Sequence, residues 1–202
     1  MPHLELARPM AQARMSNEPL RWKQTLALLR ADHARLVLFL AARQDRPPST
    51  AYLHPSFLCV LLYRISHHFF RAGHRHVARF FWQINLLVTG ADISAPAELG
   101  QGLVILSPAG TVMMGTAGRN LTMMPCAGFG GEVGRREDVG AGPGLPVLGD
   151  EVFMEPHTGV LGPVRVGNRV RLSAGIVVTR DVADDTFVEG PPPRFLRRRD
   201  LP

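Results

Sequence analysis

The chain has 202 residues, 46% of them hydrophobic, with 23 Lys and Arg against 17 Asp and Glu. This length and apolar content suffice for a buried core, which argues against a natively disordered chain. The net charge of +6 includes three consecutive arginines at 197–199. No basic face with interleaved aromatic residues accompanies them, so nucleic acid is not expected as a partner.

The first 90 residues are predicted to be helical. Apolar residues recur at helical spacing over residues 22–42, and a proline pair separates this run from the next. The second run, 55–72, starts with proline and stops before Gly73, and the third, 74–88, stops before Gly90. Proline at the start and glycine just past the end are typical helix boundaries.

After residue 91 the apolar residues recur every six positions. The same period starts at Ile93, Leu99 and Ile105, is interrupted after Ala109, and resumes at Leu148. A period of six fits neither a helix nor a hairpin, but it is typical of a triangular parallel β-helix with three short strands per coil. In the later block two sets share the period, offset by four: Leu148, Met154, Val160, Val166, Leu172 and Val178, then Val152, Thr158, Val164, Val170, Ile176 and Val182.

These patterns divide the chain into four segments. We expect a disordered N-terminus, an α-helical domain, a β-helix with an inserted loop, and a C-terminal tail. Their bounds are 1–18, 19–90, 91–190 with the loop at about 130–146, and 191–202.

Three segments carry a resemblance to the bacterial serine acetyltransferases. They are HPSFLCVLLYRISHHFFRAG (54–73), GADISAPAELGQGLVI (90–105) and GVLGPVRVGNRVRLSAGIVVTRDVADDTFVEGPPPRF (159–195). The resemblance implies an α+β fold in which an N-terminal α-helical cap precedes a left-handed parallel β-helix of hexapeptide repeats. It also implies a homotrimer, with acetyl-CoA or another acyl-CoA bound between neighbouring subunits as co-substrate, and no metal.

The positions that match the family's catalytic residues hold other side chains. The family's Asp-His pair is replaced by Ser107 and Pro108, and its Arg-His pair by Gly144 and Leu145. These side chains neither accept a proton near neutral pH nor bind a carboxylate as arginine does. We therefore expect altered catalytic groups and an altered acceptor.

The resemblance also implies residues for the donor. The Gly131 amide would polarise the thioester carbonyl, Ala174 would line the groove, and Arg180 and Arg194 would contact the coenzyme phosphates. The loop after Gly131 is about five residues longer than in the family. It carries four further charged residues at 135–138.

Two interpretations of His157 stay open. Seven of the eight histidines precede residue 77, so His157 is the sole imidazole of the β-helical part. It is either a solvent-facing corner residue or a relocated general base with Glu155 nearby. Cys126 is expected to be a buried packing residue, because no histidine is close to it in sequence. The histidines at 67, 68, 74 and 76 lack zinc-motif spacing and are expected to be solvated or interfacial.

Three functions follow from these features. The first is an acyl-CoA-dependent acyltransferase with altered catalytic residues, the second an inactive homologue that acts as a scaffold or regulator, and the third a serine O-acetyltransferase with an atypical site. We favour the first, acting on a small-molecule acceptor or possibly with a protein partner. The chain ends at Pro202 without the Ile-terminated tail that docks into the next enzyme, so a cysteine synthase complex is not expected. Two distant cysteines and no apolar stretch of membrane-spanning length predict a cytoplasmic protein.

Overall fold

A computed structural model describes residues 21–42, 48–132 and 134–191. The N-terminal part is a cap of three helices, α1 (Trp22–Ala42), α2 (Pro55–Arg71) and α3 (Arg75–Thr89), with a 3-10 helix at Pro48–Leu53. At the start of α2 the His54 ring accepts a hydrogen bond from the Ser56 N–H. α3 ends at Gly90, whose φ of 73° is the left-handed conformation that closes a helix. The three helices lie where the sequence places them.

Fourteen short strands follow, and all their pairings are parallel. The chain visits three sheets in turn, so each successive strand joins the next sheet. The first sheet has the order β1-β4-β7-β10-β13, the second β11-β8-β5-β2, and the third β14-β12-β9-β6-β3. The strands are β1 (Asp92–Ile93), β2 (Glu98–Leu99), β3 (Val104–Ile105), β4 (Val112–Met113), β5 (Thr116–Ala117), β6 (Thr122–Met123), β7 (Gly128–Gly130), β8 (Val147–Leu148), β9 (Phe153–Met154), β10 (Gly159–Leu161), β11 (Arg165–Val166), β12 (Arg171–Leu172), β13 (Val177–Val178) and β14 (Phe187–Val188).

The six-residue period corresponds to the inward side chains of this coil. Leu148 pairs with Val166, 18 residues on, so three repeats make one turn. All six residues of the first predicted set are buried. Their side chains stack along the axis and form the continuous core that each repeat alone could not bury.

The coil extends further than the period shows. Ile93 pairs with Met113 and Met113 with Phe129, which makes the turn to Met113 two residues longer and the next two shorter. The expectation of a broad interruption after Ala109 is therefore wrong. Met123 pairs with Met154, 31 residues later instead of 18, so the loop at 131–146 adds 13 residues to a continuous coil.

The cap is joined to the first coil by buried polar side chains. Tyr63 donates a hydrogen bond to the Ala97 carbonyl at 2.6 Å, and His67 Nδ1 lies 2.8 Å from the Ala95 carbonyl oxygen. His67 and His68 are both buried, which corrects the expectation that they are solvated. Within the described ranges, no helix has the length and apolarity needed to cross a bilayer.

Candidate functional site

The sequence-predicted site residues lie at two edges of the first sheet. One edge, here called the His157 corner, is the turn from the third sheet to the first, at 106–111, 124–127, 155–158 and 173–176. The other, here called the Gly131 edge, is the turn from the first sheet to the second, at 131–146, 162–164 and 179–181.

The His157 corner holds the positions of the family's Asp-His pair. Ser107 is exposed and Pro108 is buried, one coil before Cys126. His157 is exposed, with φ 58°, and its amide donates to the Pro125 carbonyl at 3.0 Å. Ala174 lies on the next coil of the same corner. The corner therefore brings Ser107, Pro108, His157 and Ala174 to one side of the molecule.

The Glu155 carboxylate has partners other than His157. Its Oε1 accepts hydrogen bonds from Arg171, with Nε at 2.8 Å, and its Oε2 accepts the Ala174 N–H at 3.1 Å. The Arg171 guanidinium also lies over the Phe153 ring, 4.9 Å from the centroid. These contacts fix the shape of the corner and occupy both carboxylate oxygens and the Ala174 amide.

The Gly131 edge holds the positions of the family's Arg-His pair. A Cβ on Gly131 would lie 3.3 Å from Leu145 Cδ2 and 3.4 Å from the Gly144 carbonyl oxygen, so the three residues are neighbours. Gly131 is exposed, and within the described residues its N–H donates to no backbone or side-chain acceptor. An exposed, unbonded amide of this kind is able to stabilise an oxyanion.

Gly144 is held in a conformation that suits glycine. Its φ is 76°, and a Cβ there would lie 2.5 Å from the Arg135 carbonyl oxygen. The inserted loop folds back on itself through a Gly144 N–H to Glu137 C=O hydrogen bond of 2.7 Å. Asp138 Oδ1 accepts the N–H groups of Gly140 and Gly142. The longer loop thus occupies the space in which an arginine side chain at 144 would start.

Arg180 follows β13 at the Gly131 edge and is exposed. Arg194, the other predicted phosphate contact, lies outside the described residues, as does Asp45. In the part of the chain that the structure describes, no group of three or more His, Cys, Asp and Glu side chains is arranged to hold a metal ion.

The two edges are separated by the width of the first sheet. Five residues of extended chain lead from Cys126 to Gly131, which corresponds to about 16 Å at ~3.3 Å per residue. A single chain therefore does not bring His157 and Gly131 together. A site that uses both edges requires two copies of the chain.

The outer face of the first sheet is unusually apolar. Val112, Met114, Leu161 and Val177 are 39%, 36%, 41% and 59% exposed, whereas the inward neighbours on these strands are buried. Glycines at 128 and 159 flatten the same face between them. Flat apolar surface of this kind is typical of a protein interface. The hexapeptide period did not reveal this face, because that period reports only the inward side chains.

Cys126 is exposed, which makes the expectation of a buried packing residue wrong. Its Sγ lies 3.8 Å from the Ala109 carbonyl oxygen, its hydrogen-bond acceptor. The sequence signal that was missed is a distance of three residues: Cys126 follows Met123 by three and His157 follows Met154 by three, and these methionines pair.

A separate open groove of about 560 Å³ lies between α1 and the third sheet. Arg35 lines it, but its guanidinium already donates to the Gly102 and Leu121 carbonyls and to Thr122 Oγ1. The coil side of the groove is the turn from the second sheet to the third, so it lies apart from both edges of the first sheet. Its other lining residues are Ala31, Ala34, Leu38, Asn120, Glu151 and Phe153.

A helical cap on a three-sided parallel coil, with candidate groups at the coil's corners, defines a hexapeptide-repeat protein of the acyltransferase type. No family model matches the chain. It is 31% identical over 143 residues to a serine acetyltransferase of Helicobacter pylori, covering 68% of this chain and 79% of that protein. It is likewise 31% identical over 153 residues to a serine acetyltransferase of Synechococcus elongatus, covering 72% of this chain and 58% of that protein.

The crystal structure of the Neisseria gonorrhoeae serine acetyltransferase is also similar. It has a TM-score of 0.75 and 26% sequence identity, covering 84% of this chain and 66% of that one. The chain belongs to the serine acetyltransferase family, as the resemblance predicts. It spans a little under two thirds of the Synechococcus relative.

Proposed function

We propose that this chain is an acyl-CoA-dependent acyltransferase, with acetyl-CoA as donor and an acceptor other than serine. The observation that carries the proposal is the exposed, unbonded amide of Gly131, a group placed to stabilise the oxyanion that forms when a thioester is attacked. Leu145 packs beside it and shields the site from water on one side.

The proposed acceptor follows from what the two edges lack. Acetylation of serine needs a base for the hydroxyl and a cation for the carboxylate. Ser107 and Pro108 supply no base near neutral pH, and Gly144 and Leu145 supply no cation. An acceptor without a carboxylate, such as an amine or an alcohol on a larger molecule, fits these positions better.

His157 is the proposed general base. It is the sole imidazole of the coil and is exposed on the same corner as Ser107. We assign Glu155 the role of holding the corner through Arg171 and the Ala174 amide, so that the position of His157 is fixed. Arg180 and Arg194 remain the proposed contacts for the coenzyme phosphates, with Ala174 on the groove wall.

We further propose a left-handed coil and a homotrimer in which the outer faces of the first sheets meet. The apolar side chains of that face support the trimer, and so does the separation of His157 from Gly131, which a neighbouring copy would bridge. In this assembly the His157 corner of one copy faces the Gly131 edge of the next.

Isothermal titration calorimetry with acetyl-CoA and with free coenzyme A tests the donor. Micromolar binding is expected, together with a trimer on gel filtration with light scattering. Acceptors are then screened by release of the coenzyme thiol, with His157→Gln expected to reduce turnover about 100-fold or more. Absence of binding at millimolar ligand would contradict the proposal.

The charged loop favours a second candidate, a homologue that binds a protein partner without turnover. Arg135, Arg136, Glu137 and Asp138 are all exposed, with Arg135 paired to Glu132 at 3.1 Å. This candidate predicts retention of a partner by the trimer and no thiol release with any acceptor. Neutralising Arg136 and Glu137 together would then abolish the retention and leave the trimer intact.

A further inference from the structure

Cys126 and His157 occupy equivalent positions on consecutive coils. Each lies three residues after a methionine, and these methionines, Met123 and Met154, are paired in the third sheet. The His157 N–H donates to the Pro125 carbonyl at 3.0 Å, which continues the parallel register into the turn. The two residues are therefore direct neighbours along the coil axis.

Their side chains leave the backbone in the same direction. The φ angles are 57° at Cys126 and 58° at His157, so the two turns have the same conformation. Adjacent parallel strands are spaced by about 4.8 Å, and the two Cβ atoms are separated by a similar distance. Rotation about the Cys126 Cα–Cβ bond moves its thiol from the Ala109 carbonyl towards the imidazole.

The coils on either side leave this pair open. Gly110 lies against Cys126 on the preceding coil, and a Cβ there would lie 3.2 Å from Cys126 Sγ. Gly175 follows His157, since its N–H donates to the Pro156 carbonyl at 3.0 Å. The order along the corner is glycine, cysteine, histidine, glycine, and both central residues are exposed.

The second cysteine has the opposite environment. Cys59 lies in the core between cap and coil, and burial raises the pKa of its thiol to about 11. A thiol of that pKa in a closed site is inert near neutral pH. Cys59 therefore serves as an internal control for any reaction of Cys126.

We propose that Cys126 is a catalytic nucleophile that carries the acyl group as a thioester, with His157 as its base. This inference rests on the proposed acyl-CoA-dependent function. A thiolate is a far better nucleophile near neutral pH than a hydroxyl, which explains how the chain dispenses with the family's acid-base pairs.

The transfer has two balanced steps. His157 accepts the Cys126 S–H proton, the thiolate attacks the acyl carbonyl, and the bond between that carbon and the coenzyme sulfur breaks. The coenzyme thiolate takes the proton from the imidazolium and leaves as free thiol. In the second step the acceptor attacks the Cys126 thioester, its proton passes to His157, and the proton returns to the Cys126 thiol.

The test is rapid acid quench of the full-length protein mixed with acetyl-CoA, followed by intact-mass and peptide mass spectrometry. One acetyl group is expected on the peptide that contains Cys126 and none on the peptide that contains Cys59. Cys126→Ala abolishes the adduct, and His157→Gln slows its formation about 100-fold. Hydroxylamine at neutral pH removes the acetyl group if it is a thioester.

Calorimetry on the same sample separates the two proposals. Acetyl-CoA that binds without any adduct at Cys126, with Cys126→Ala turning over at the native rate, would overturn the thioester and leave the transferase. Absence of acetyl-CoA binding would overturn both. A second readout needs no donor: the pH profile of Cys126 alkylation by iodoacetamide is expected to move to higher pH in His157→Gln, and an unchanged profile would overturn the pairing.

Discussion

The Arg64 guanidinium and the Asp32 carboxylate form an ion pair in which 1% of each side chain is exposed, with Nε 2.9 Å from Oδ2. Arg64 also donates to the Leu99 and Gly100 carbonyls, both at 2.6 Å. Asp32 Oδ1 accepts the Leu103 N–H at 2.8 Å. One pair thus joins α1, α2 and the first turn of the coil.

Arg64→Met is expected to lower the free energy of unfolding by about 3–5 kcal/mol, because it leaves the Asp32 carboxylate buried without its counter-ion. Urea denaturation followed by circular dichroism measures the change. Arg135→Met, which breaks the half-exposed pair with Glu132, is the control and is expected to cost about 1 kcal/mol at most. Asp32→Leu combined with Arg64→Met should recover part of the loss, and a double variant no more stable than Arg64→Met would contradict this account.

Burial of His67 predicts a pH-dependent stability. Burial lowers the pKa of His67 below 6.5, with Arg64 and Arg71 acting in the same direction and Glu98 opposing them. Below that pH the unfolded chain takes up a proton more readily than the folded chain, so the free energy of unfolding falls as pH falls. His67→Asn keeps an N–H donor for the Ala95 carbonyl but does not titrate. The difference in unfolding free energy between about pH 7.5 and about pH 5.5 is expected to be smaller in His67→Asn, and an equal difference would assign the effect to other groups.

A column of glycines lets successive coils approach at the turn from the second sheet to the third. A Cβ on Gly149 would lie 2.7 Å from the Gly167 carbonyl oxygen, whereas one on Gly159 would meet only Val177 side-chain carbons, the nearest at 3.6 Å. Gly149→Ala is therefore expected to lower the free energy of unfolding by about 1–3 kcal/mol. The matched control Gly159→Ala has no positive φ and is expected to be neutral or stabilising by up to about 1 kcal/mol. Thermal unfolding of both variants checks the contrast, and equal midpoints would contradict it.

Much of the fold was readable from the sequence because one repeat encodes one strand. The buried six-residue set from Leu148 to Val178 leaves little choice of architecture. The coil between Ile105 and Leu148 was missed because one turn is two residues longer and the next two shorter, which cancels in register but breaks the period. The exposure of Cys126 and its position beside His157 depend on the size of the loop at 131–146. No local pattern encodes the fact that 13 inserted residues leave the register of the following coil unchanged.

The apolar face of the first sheet predicts that assembly is sensitive to single charges. Val177 and Phe187 are almost equally exposed, at 59% and 56%, but Val177 belongs to the first sheet and Phe187 to the third. Val177→Arg is expected to dissociate the assembly, because a charge would be buried against an apolar partner face. Phe187→Arg is the control and should leave the mass unchanged. Light scattering after gel filtration measures both, and a monomeric Phe187→Arg with an assembled Val177→Arg would place the interface on the third sheet.

Restoring the family's Arg-His pair is expected to fail at one position and succeed at the other. A side chain at Gly144 would start 2.5 Å from the Arg135 carbonyl oxygen, from a backbone with φ 76°. Leu145 is partly exposed, and its side chain already extends to Gly131, so an imidazole fits in its place. Gly144→Arg should therefore lower the free energy of unfolding by about 1–3 kcal/mol, whereas Leu145→His should fold with near-native stability.

Denaturant titration of Gly144→Arg and Leu145→His measures these stabilities, and calorimetry with acetyl-CoA reports whether each retains the donor site. Leu145→His is not expected to acetylate serine, since Gly144 still provides no cation for the carboxylate. Serine-dependent release of coenzyme A by this single variant would show that the acceptor site had stayed intact. A stable Gly144→Arg would show that the inserted loop moves aside, and the loop would then not be what excludes the arginine from this member of the family.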